Sequence, residues 1–271
     1  MDRICFVTIA NKQYQIYLPW YFYFLSRSYP NSTALIYLSE SLDDNIRKAI
    51  NLIQYNYKIK ENCFQDFNCN NPDVIKCLRW LNVDKDIMQF DYAHIGDIDL
   101  GICKETPSLL EQHKKHCHIT KLPYSNFVRP QLPPRLSGVH FIKIHKWFDA
   151  MMDQIIIYRD KLQKGQIYLP NPVGVNEQFL FNMITDSILE KPDESITESY
   201  YQCVNKSHHH GIHIRLVEIS GAQAMAREVD HKCYREQILL MANDKLFHEL
   251  ASLFPQKSKY LKSVIKFMEK N

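Results

Sequence analysis

Strand-like and helix-like segments alternate over the first hundred residues, which predicts an α/β fold with a mainly parallel central sheet. Two further features support this. The strand-like runs are apolar along their whole length, as strands covered on both faces are. Residues 8–11 and 96–99, the stretches best suited to ligand chemistry, both end such runs. That places them at the carboxyl edge of the sheet, where open α/β sheets bind their ligands.

Ile4-Cys5-Phe6-Val7-Thr8-Ile9 is a buried first strand stopped by Ala10-Asn11. Lys12 to Ser28 has an aromatic, helical pattern that ends before Pro30. Ala34 to Leu38 is a second strand, and Leu42 to Tyr55 a helix carrying Ile46, Ala49, Ile50 and Ile53 at helical spacing. Tyr57-Lys58-Ile59 makes a short third strand. Pro72 opens a helix that runs to Leu81, a normal place for proline. Ile87 to Ile95 is the strand before the acidic pair. Residues 119–134 hold Pro123, Pro130, Pro133 and Pro134 and read as an extended loop. Arg135 to Ile144 is a strand, Lys146 to Leu162 a helix, Pro170 to Gly174 a loop, and Val175 to Leu189 a helix. The chain from Glu218 onward reads as largely helical.

The 271 residues are enough for one large domain, or one domain with a helical appendage. With 45% apolar and 23% charged residues the chain is globular. A net charge of +3 with dispersed basic residues argues against nucleic acid as a partner. Eight cysteines without a C-x-x-C pair, and no signal-peptide pattern, give the expectation of reduced thiols in a cytoplasmic protein. No apolar run approaches the roughly 18 residues that span a bilayer.

The most informative segment is Tyr92-Ala93-His94-Ile95-Gly96-Asp97-Ile98-Asp99-Leu100-Gly101. A buried strand that the chain leaves at Asp97 lets Asp97 and Asp99 converge on one cation, and Gly96 lets a bulky ligand approach the backbone. Hard cations such as Mg²⁺ or Mn²⁺ take such oxygens and keep positions open for a diphosphate. Four imidazoles in six residues, His208 to His213, can add a nitrogen ligand or bond a phosphate oxygen. His113, His116, Cys117 and His118 stand among lysines without a second Cys/His pair, and read as a solvated helix end. Arg79 is a lone cation among apolar residues, a fork suited to phosphate or a sugar hydroxyl, and Arg129 and Arg135 raise the same question. Glu177 at a helix start is either a favourable charge on the helix dipole or a catalytic base.

In order along the chain, Thr8-Ile9-Ala10-Asn11, Cys77-Leu78-Arg79-Trp80-Leu81, Gly96-Asp97-Ile98-Asp99, Arg135-Leu136-Ser137-Gly138-Val139-His140-Phe141, Asn176-Glu177-Gln178 and His210-Gly211-Ile212-His213 resemble the GT-A class of nucleotide-sugar-dependent glycosyltransferases. The likeness is to small bacterial enzymes of capsule, O-antigen and lipooligosaccharide assembly. It implies a Rossmann-like, mainly parallel sheet with a helical C-terminal region. It also implies Mn²⁺ or Mg²⁺ on Asp97 and Asp99, with His213 or His210 completing the shell. Thr8, Ala10 and Asn11 would line the base and ribose, with Tyr14 stacking. Arg79, Ile98, Ser137, Gly138, Val139, His140, Gln178 and Gly211 would border the donor sugar and phosphates. Glu177 and Asp99 would be catalytic. The expected domain is 1–215, with a nucleotide half of about 1–103 and an acceptor half of about 104–215, followed by a helical extension over 216–271.

The expected partners are a UDP-linked donor and a glycan or lipid-linked acceptor. Tyr260, Leu261, Val264, Ile265 and Met268 form an apolar stripe among lysines, which gives the further expectation of peripheral contact with an anionic membrane. The two rivals are a GT-A-like binding protein without catalysis and a phosphatase of the haloacid-dehalogenase class. The phosphatase would carry its D-x-D on the first strand.

Overall fold

A computed structural model describes residues 2–129, 133–167, 174–204, 209–215, 217–218, 221 and 234–270. The predicted positions Pro130, 170–173, His208 and most of 219–233 lie outside the described residues. The strands are β1 (Ile4–Ala10), β2 (Thr33–Leu38), β3 (Asn56–Lys60), β4 (Tyr92–Ile95), β5 (Leu100–Ile102), β6 (Tyr124–Ser125), β7 (Val128–Arg129), β8 (Arg135–Leu136), β9 (His140–Lys143) and β10 (Gly211–His213). The helices are α1 (Leu18–Ser28), α2 (Asp44–Ile50), α3 (Pro72–Leu81), α4 (Leu109–Thr120), α5 (Ile144–Gln163), α6 (Val175–Thr185), α7 (Glu194–Cys203), α8 (Arg235–Met241), α9 (Lys245–Leu253) and α10 (Pro255–Lys270).

The central sheet has the order β3-β2-β1-β4-β9-β6. Strands β3, β2, β1 and β4 are parallel, β9 runs antiparallel to them, and the edge strand β6 is antiparallel to β9. This mainly parallel sheet flanked by helices, with a helical C-terminal region, is the architecture the GT-A resemblance implies. Side chains alternate between two cores, as the pleat requires. Phe6, Ala34, Ile36, Leu38 and Phe141 face α1, α2 and the C-terminal helices. Cys5, Val7, Leu35, Tyr37, Ala93, Ile95 and Ile142 face α3, α5 and α6. Covering both faces explains why these strands read as continuous apolar runs.

Several boundaries differ from the sequence reading, each for a local reason. Residues 12–28 split into a 3-10 turn, Lys12–Tyr17, and α1, with Pro19 in the first turn of the true helix. The strand expected from Ile87 begins only at Tyr92, after a short 3-10 turn. The strand expected over Arg135 to Ile144 is broken at Ser137–Val139, where the chain bends toward the acidic pair. Helix α3 spans Pro72–Leu81 as predicted, its start capped by the Asn71 side chain accepting from Asp73 N.

A separate two-stranded ladder pairs β5 with β10 in antiparallel register, Gly211 opposite Ile102 and His213 opposite Leu100. Its backbones lie close, since a Cβ on Gly211 would stand 2.0 Å from Gly101 O. Gly101 in turn lies under the Phe24 ring, 2.7 Å from where its own Cβ would be.

The apolar stripe of α10 is packed on the protein. Leu261, Val264, Ile265 and Met268 are all buried, at i, i+3, i+4 and i+7 spacing. The carbonyl of Met268 near its end accepts two bonds from the Arg235 guanidinium, at 2.9 and 3.1 Å. This corrects the expectation of a stripe open to a membrane, because the stripe gains more by closing the first core. Among the described residues no helix is long and apolar enough to cross a membrane. Leu261→Ala is expected to lower unfolding stability by about 2–5 kcal/mol, read by urea titration, because it leaves a cavity under α10.

Candidate active site

The chain leaves β4 at Gly96, whose N–H donates to Val7 O at 3.2 Å and holds the exit against β1. Asp97 and Asp99 therefore emerge beside the end of β1, at the carboxyl edge of the parallel strands. The third member arrives from far along the chain. The β5–β10 ladder, extended by Ile214 N donating to Asp99 O at 2.8 Å, sets His213 next to Asp99. One ligand atom each from Asp97, Asp99 and His213 lies within 4.8 Å of the others, and His213 Nδ1 is 3.8 Å from Asp99 Oδ2.

The two carboxylates differ in state. Burial works against ionised Asp97, but the Arg79 guanidinium, 2.5 Å away, holds its carboxyl below the usual range. Asp99 is 3% exposed, and burial, with Asp97 nearby, pushes its carboxyl up to about 6. A buried carboxylate so poorly compensated fits a divalent cation, and the oxygen–oxygen–nitrogen donor set suits Mn²⁺ or Mg²⁺.

The triad lies in a pocket of about 170 Å³ lined also by Ile9, Ala10, Asn11, Tyr14, Ile98, Arg79 and Glu177. Asn11 caps the 3-10 turn, accepting from Tyr14 N at 3.3 Å, and so fixes Tyr14 at the rim. Pro72, Ile75, Lys76, Asn176 and Arg215 complete the lining, and the sequence reading gave none of them a role in the site. Lys76 was legible three residues before Arg79, on the same face of one helix. Arg215 stands two residues beyond His213, just past the end of β10. The Arg215 guanidinium lies 5.4 Å over the Tyr14 ring and donates to its hydroxyl.

Arg79, 7% exposed, runs inward along α3, donating to Asp97 and, from Nη1, to Gly138 O at 3.4 Å. Gly138 is the one member of its segment at the site. A Cβ there would stand 3.2 Å from Glu177 Oε1 and 3.6 Å from Asp97 Oδ2. Burial raises the Glu177 carboxyl above its usual range, against the pull of Arg129 at 3.9 Å and Arg135 at 3.3 Å. Glu177 is the third residue of a helix whose start is bonded to Gly174 O. The adjacent chain is tight, since a Cβ on Gly174 would overlap Arg135 Nη1.

Other expected residues lie outside the pocket. Thr8 is fully buried within β1, and the pocket lining begins one residue later at Ile9, at the strand's end. Ser137 is buried and bonded to Asn126, and Val139 belongs to the first core. His140 packs edge-on against Trp147 and bonds Asn126 at 3.1 Å. Gln178 is buried one step round the helix from Glu177. Gly211 sits inside the ladder. His210, the alternative to His213, is fully buried and turned away, with Nδ1 2.9 Å from Glu105 and Nε2 2.9 Å from His113. The solvated helix end expected at 113–118 is also corrected. His113, His116 and Cys117 are buried on the inner face of α4, and only the lysines and His118 lie on its outer side.

No protein-family model matches the chain, and no curated protein does. Among solved structures the chain is similar to the glycosyltransferase GlyE of Streptococcus pneumoniae TIGR4, at 11% identity and a TM-score of 0.43 over 69% of this chain and 44% of that one. It is similar to the galactosyltransferase LgtC in complex with donor and acceptor sugar analogues, at 14% identity and a TM-score of 0.35 over 58% of this chain and 65% of that one. A 4-diphosphocytidyl-2C-methyl-D-erythritol synthase of Anaerococcus prevotii is similar at 10% identity and 0.40, over 74% and 98%. The chain spans less than two thirds of the length of the first two. At these scores the likeness passes no chemistry from one chain to another.

The state of Asp99 gives a signed pH dependence. The folded protein keeps its proton between pH 3.8 and about 6, where the unfolded chain has released it. In metal-chelated protein this group therefore lowers stability as pH rises through that window, by up to roughly 3 kcal/mol. Urea unfolding at pH 4 to 7 with EDTA should show this fall, and Asp99→Asn should remove it and leave the variant more stable than wild type at pH 7.

Proposed function

We propose that this chain is a metal-dependent glycosyltransferase that moves a sugar from a UDP-linked donor to a saccharide or lipid-linked glycan in bacterial surface polysaccharide synthesis, working in the cytoplasm. The observation that carries the reading is the Asp97, Asp99 and His213 group at the carboxyl edge of a parallel sheet, in one pocket with Arg79, Lys76 and Arg215. That combination of hard oxygen donors, an imidazole and cations is what a diphosphate leaving group requires.

Asp97, Asp99 and His213 would hold Mn²⁺ or Mg²⁺, which supplies Lewis acidity to the departing diphosphate. Lys76 and Arg215 bring positive charge to the pocket lining, to offset the negative charge that grows as the glycosidic bond breaks. Asn11 and the Tyr14 ring suit the ribose and base, with Arg215 moving off the ring to reach phosphate. Arg79 holds Asp97 with one nitrogen and offers the rest of its fork to a sugar hydroxyl. Glu177 is the base for the acceptor hydroxyl. Its raised carboxyl makes it a stronger proton acceptor than an ordinary surface glutamate, and Arg129 and Arg135 keep it ionised and aimed. Membrane contact, on this reading, rests on the lysines of α10 alone, since its apolar stripe is occupied.

Thermal unfolding with UDP, GDP and CMP, each with and without Mn²⁺, tests the donor site. UDP with Mn²⁺ at a hundredfold its dissociation constant is expected to add about 2.7 kcal/mol, and Asp99→Asn to abolish the gain. A shift indifferent to metal would sink the reading. Glu177→Gln is expected to keep the UDP–Mn²⁺ shift and lose about 10²–10⁴ in kcat, measured as sugar transfer once a donor is found by screening UDP-sugars.

A further inference from the structure

Behind the β5–β10 ladder lies a buried chain of polar groups that the proposed reaction does not use. It runs from Tyr234 and Gln112 to Glu105, then through His210, His113, Ser125 and His116 to the carbonyl of Ile196. Glu105 lies three residues beyond β5, and His210 immediately precedes β10. The ladder therefore carries Asp99 and His213 at one end and Glu105 and His210 at the other.

The bonds fix where the protons lie. Ile196 O only accepts, so His116 carries its proton on Nε2. Burial takes His116 down to about 4 and His113 well below the usual imidazole range, so both rings are neutral. His116 Nδ1 then accepts from the Ser125 hydroxyl, Ser125 Oγ accepts from His113 Nδ1, and His113 Nε2 accepts from His210 Nε2. One further proton lies between His210 Nδ1 and Glu105 Oε2, 2.9 Å apart. Burial opposes a charge on Glu105, but bonds from His210, Tyr234 and Gln112 hold its carboxyl below the usual range. A chain so fully directed has one sense, and it ties β5, β10, α4, β6 and α7 at a single geometry.

The ladder needs such a tie. It has three residues a side, each side contains a glycine, and short glycine-bearing strands specify register weakly. A slip of one residue turns His213 to the opposite face, away from Asp97 and Asp99. His210 itself stands at φ +54, a left-handed conformation costly for histidine, and its two ring bonds hold it there.

We infer that Glu105, His210 and His113 form a register lock, positioning residues that act through the ladder to present His213 to the cation site. The inference rests on the metal reading above. It is tested on the full chain with Mn²⁺ alone and with UDP. Bound Mn²⁺ is counted by loss of the free-ion electron paramagnetic resonance signal, and the imidazole ligand is detected by its ¹⁴N coupling. Wild type is expected to show the coupling and His213→Ala to lose it. Glu105→Leu and His113→Leu are expected to lose it too, with affinity lower by about ten- to a hundredfold. His113→Gln, whose Oε1 can still accept from His210, should retain most of both. Phe247→Leu, a core change remote from the site, serves as the stability control and should keep wild-type values. Wild-type coupling and affinity in folded Glu105→Leu and His113→Leu would overturn the lock alone. Absence of Mn²⁺ binding by wild type would overturn the metal reading together with it.

Discussion

A three-residue antiparallel ladder, Leu100–Ile102 against Gly211–His213, joins two parts of the chain more than a hundred residues apart. The acidic pair needs nothing but the exit of β4 from the sheet, which Gly96 and the β1–β4 register provide. An imidazole beside that pair needs the ladder. The ladder is also tied to the C-terminal helices, since Lys104, two residues beyond β5, exchanges two 2.7 Å bonds with Gln237 on α8. The site and the C-terminal region are therefore one construction, although they read as separate blocks along the sequence.

The electrostatics of the pocket follow from where the cations are rooted. Arg79 is anchored in a buried helix and neutralises Asp97 before any ligand arrives, while Asp99 is left facing low dielectric with His213 as its nearest partner. Arg215 is exposed and engages Tyr14. One arginine thus serves architecture first and the other is placed to answer a ligand. Lys76, half exposed at the rim beside Asp73, sits between these extremes. The division is a consequence of burial: a guanidinium out of water requires a fixed partner, and an exposed one does not.

The sheet and its order of elements were legible because continuous apolar runs, proline positions and helical spacing are local signals. So was the acidic pair, since its meaning comes from the strand that precedes it. The histidines were legible only through the resemblance, which put His213 ahead of His210. Four imidazoles near residue 210 look alike in sequence, yet His213 faces the pocket and His210 the core, and the difference is set by pairing with residues 100–102. The 113–118 cluster was misread for a related reason. Lysines interleave with its histidines, and only the helical period separates a wet face from a face buried on Tyr200 and Phe141. In the segment 137–140, only Gly138 reaches the site because the other three side chains have places in the core.

Phe24, Gly101 and Gly211 form a stack in which each position limits the next. A methyl on Gly211 would meet the carbonyl of Gly101, and a methyl on Gly101 would meet the ring of Phe24. In any diverging lineage these sites are therefore not free to vary one at a time. A smaller residue at 24 has to come before any side chain at 101, while 211 stays glycine as long as the strands remain paired. Relatives that lost the ladder would be recognised first by bulk at these two glycines, not by change in the acids themselves.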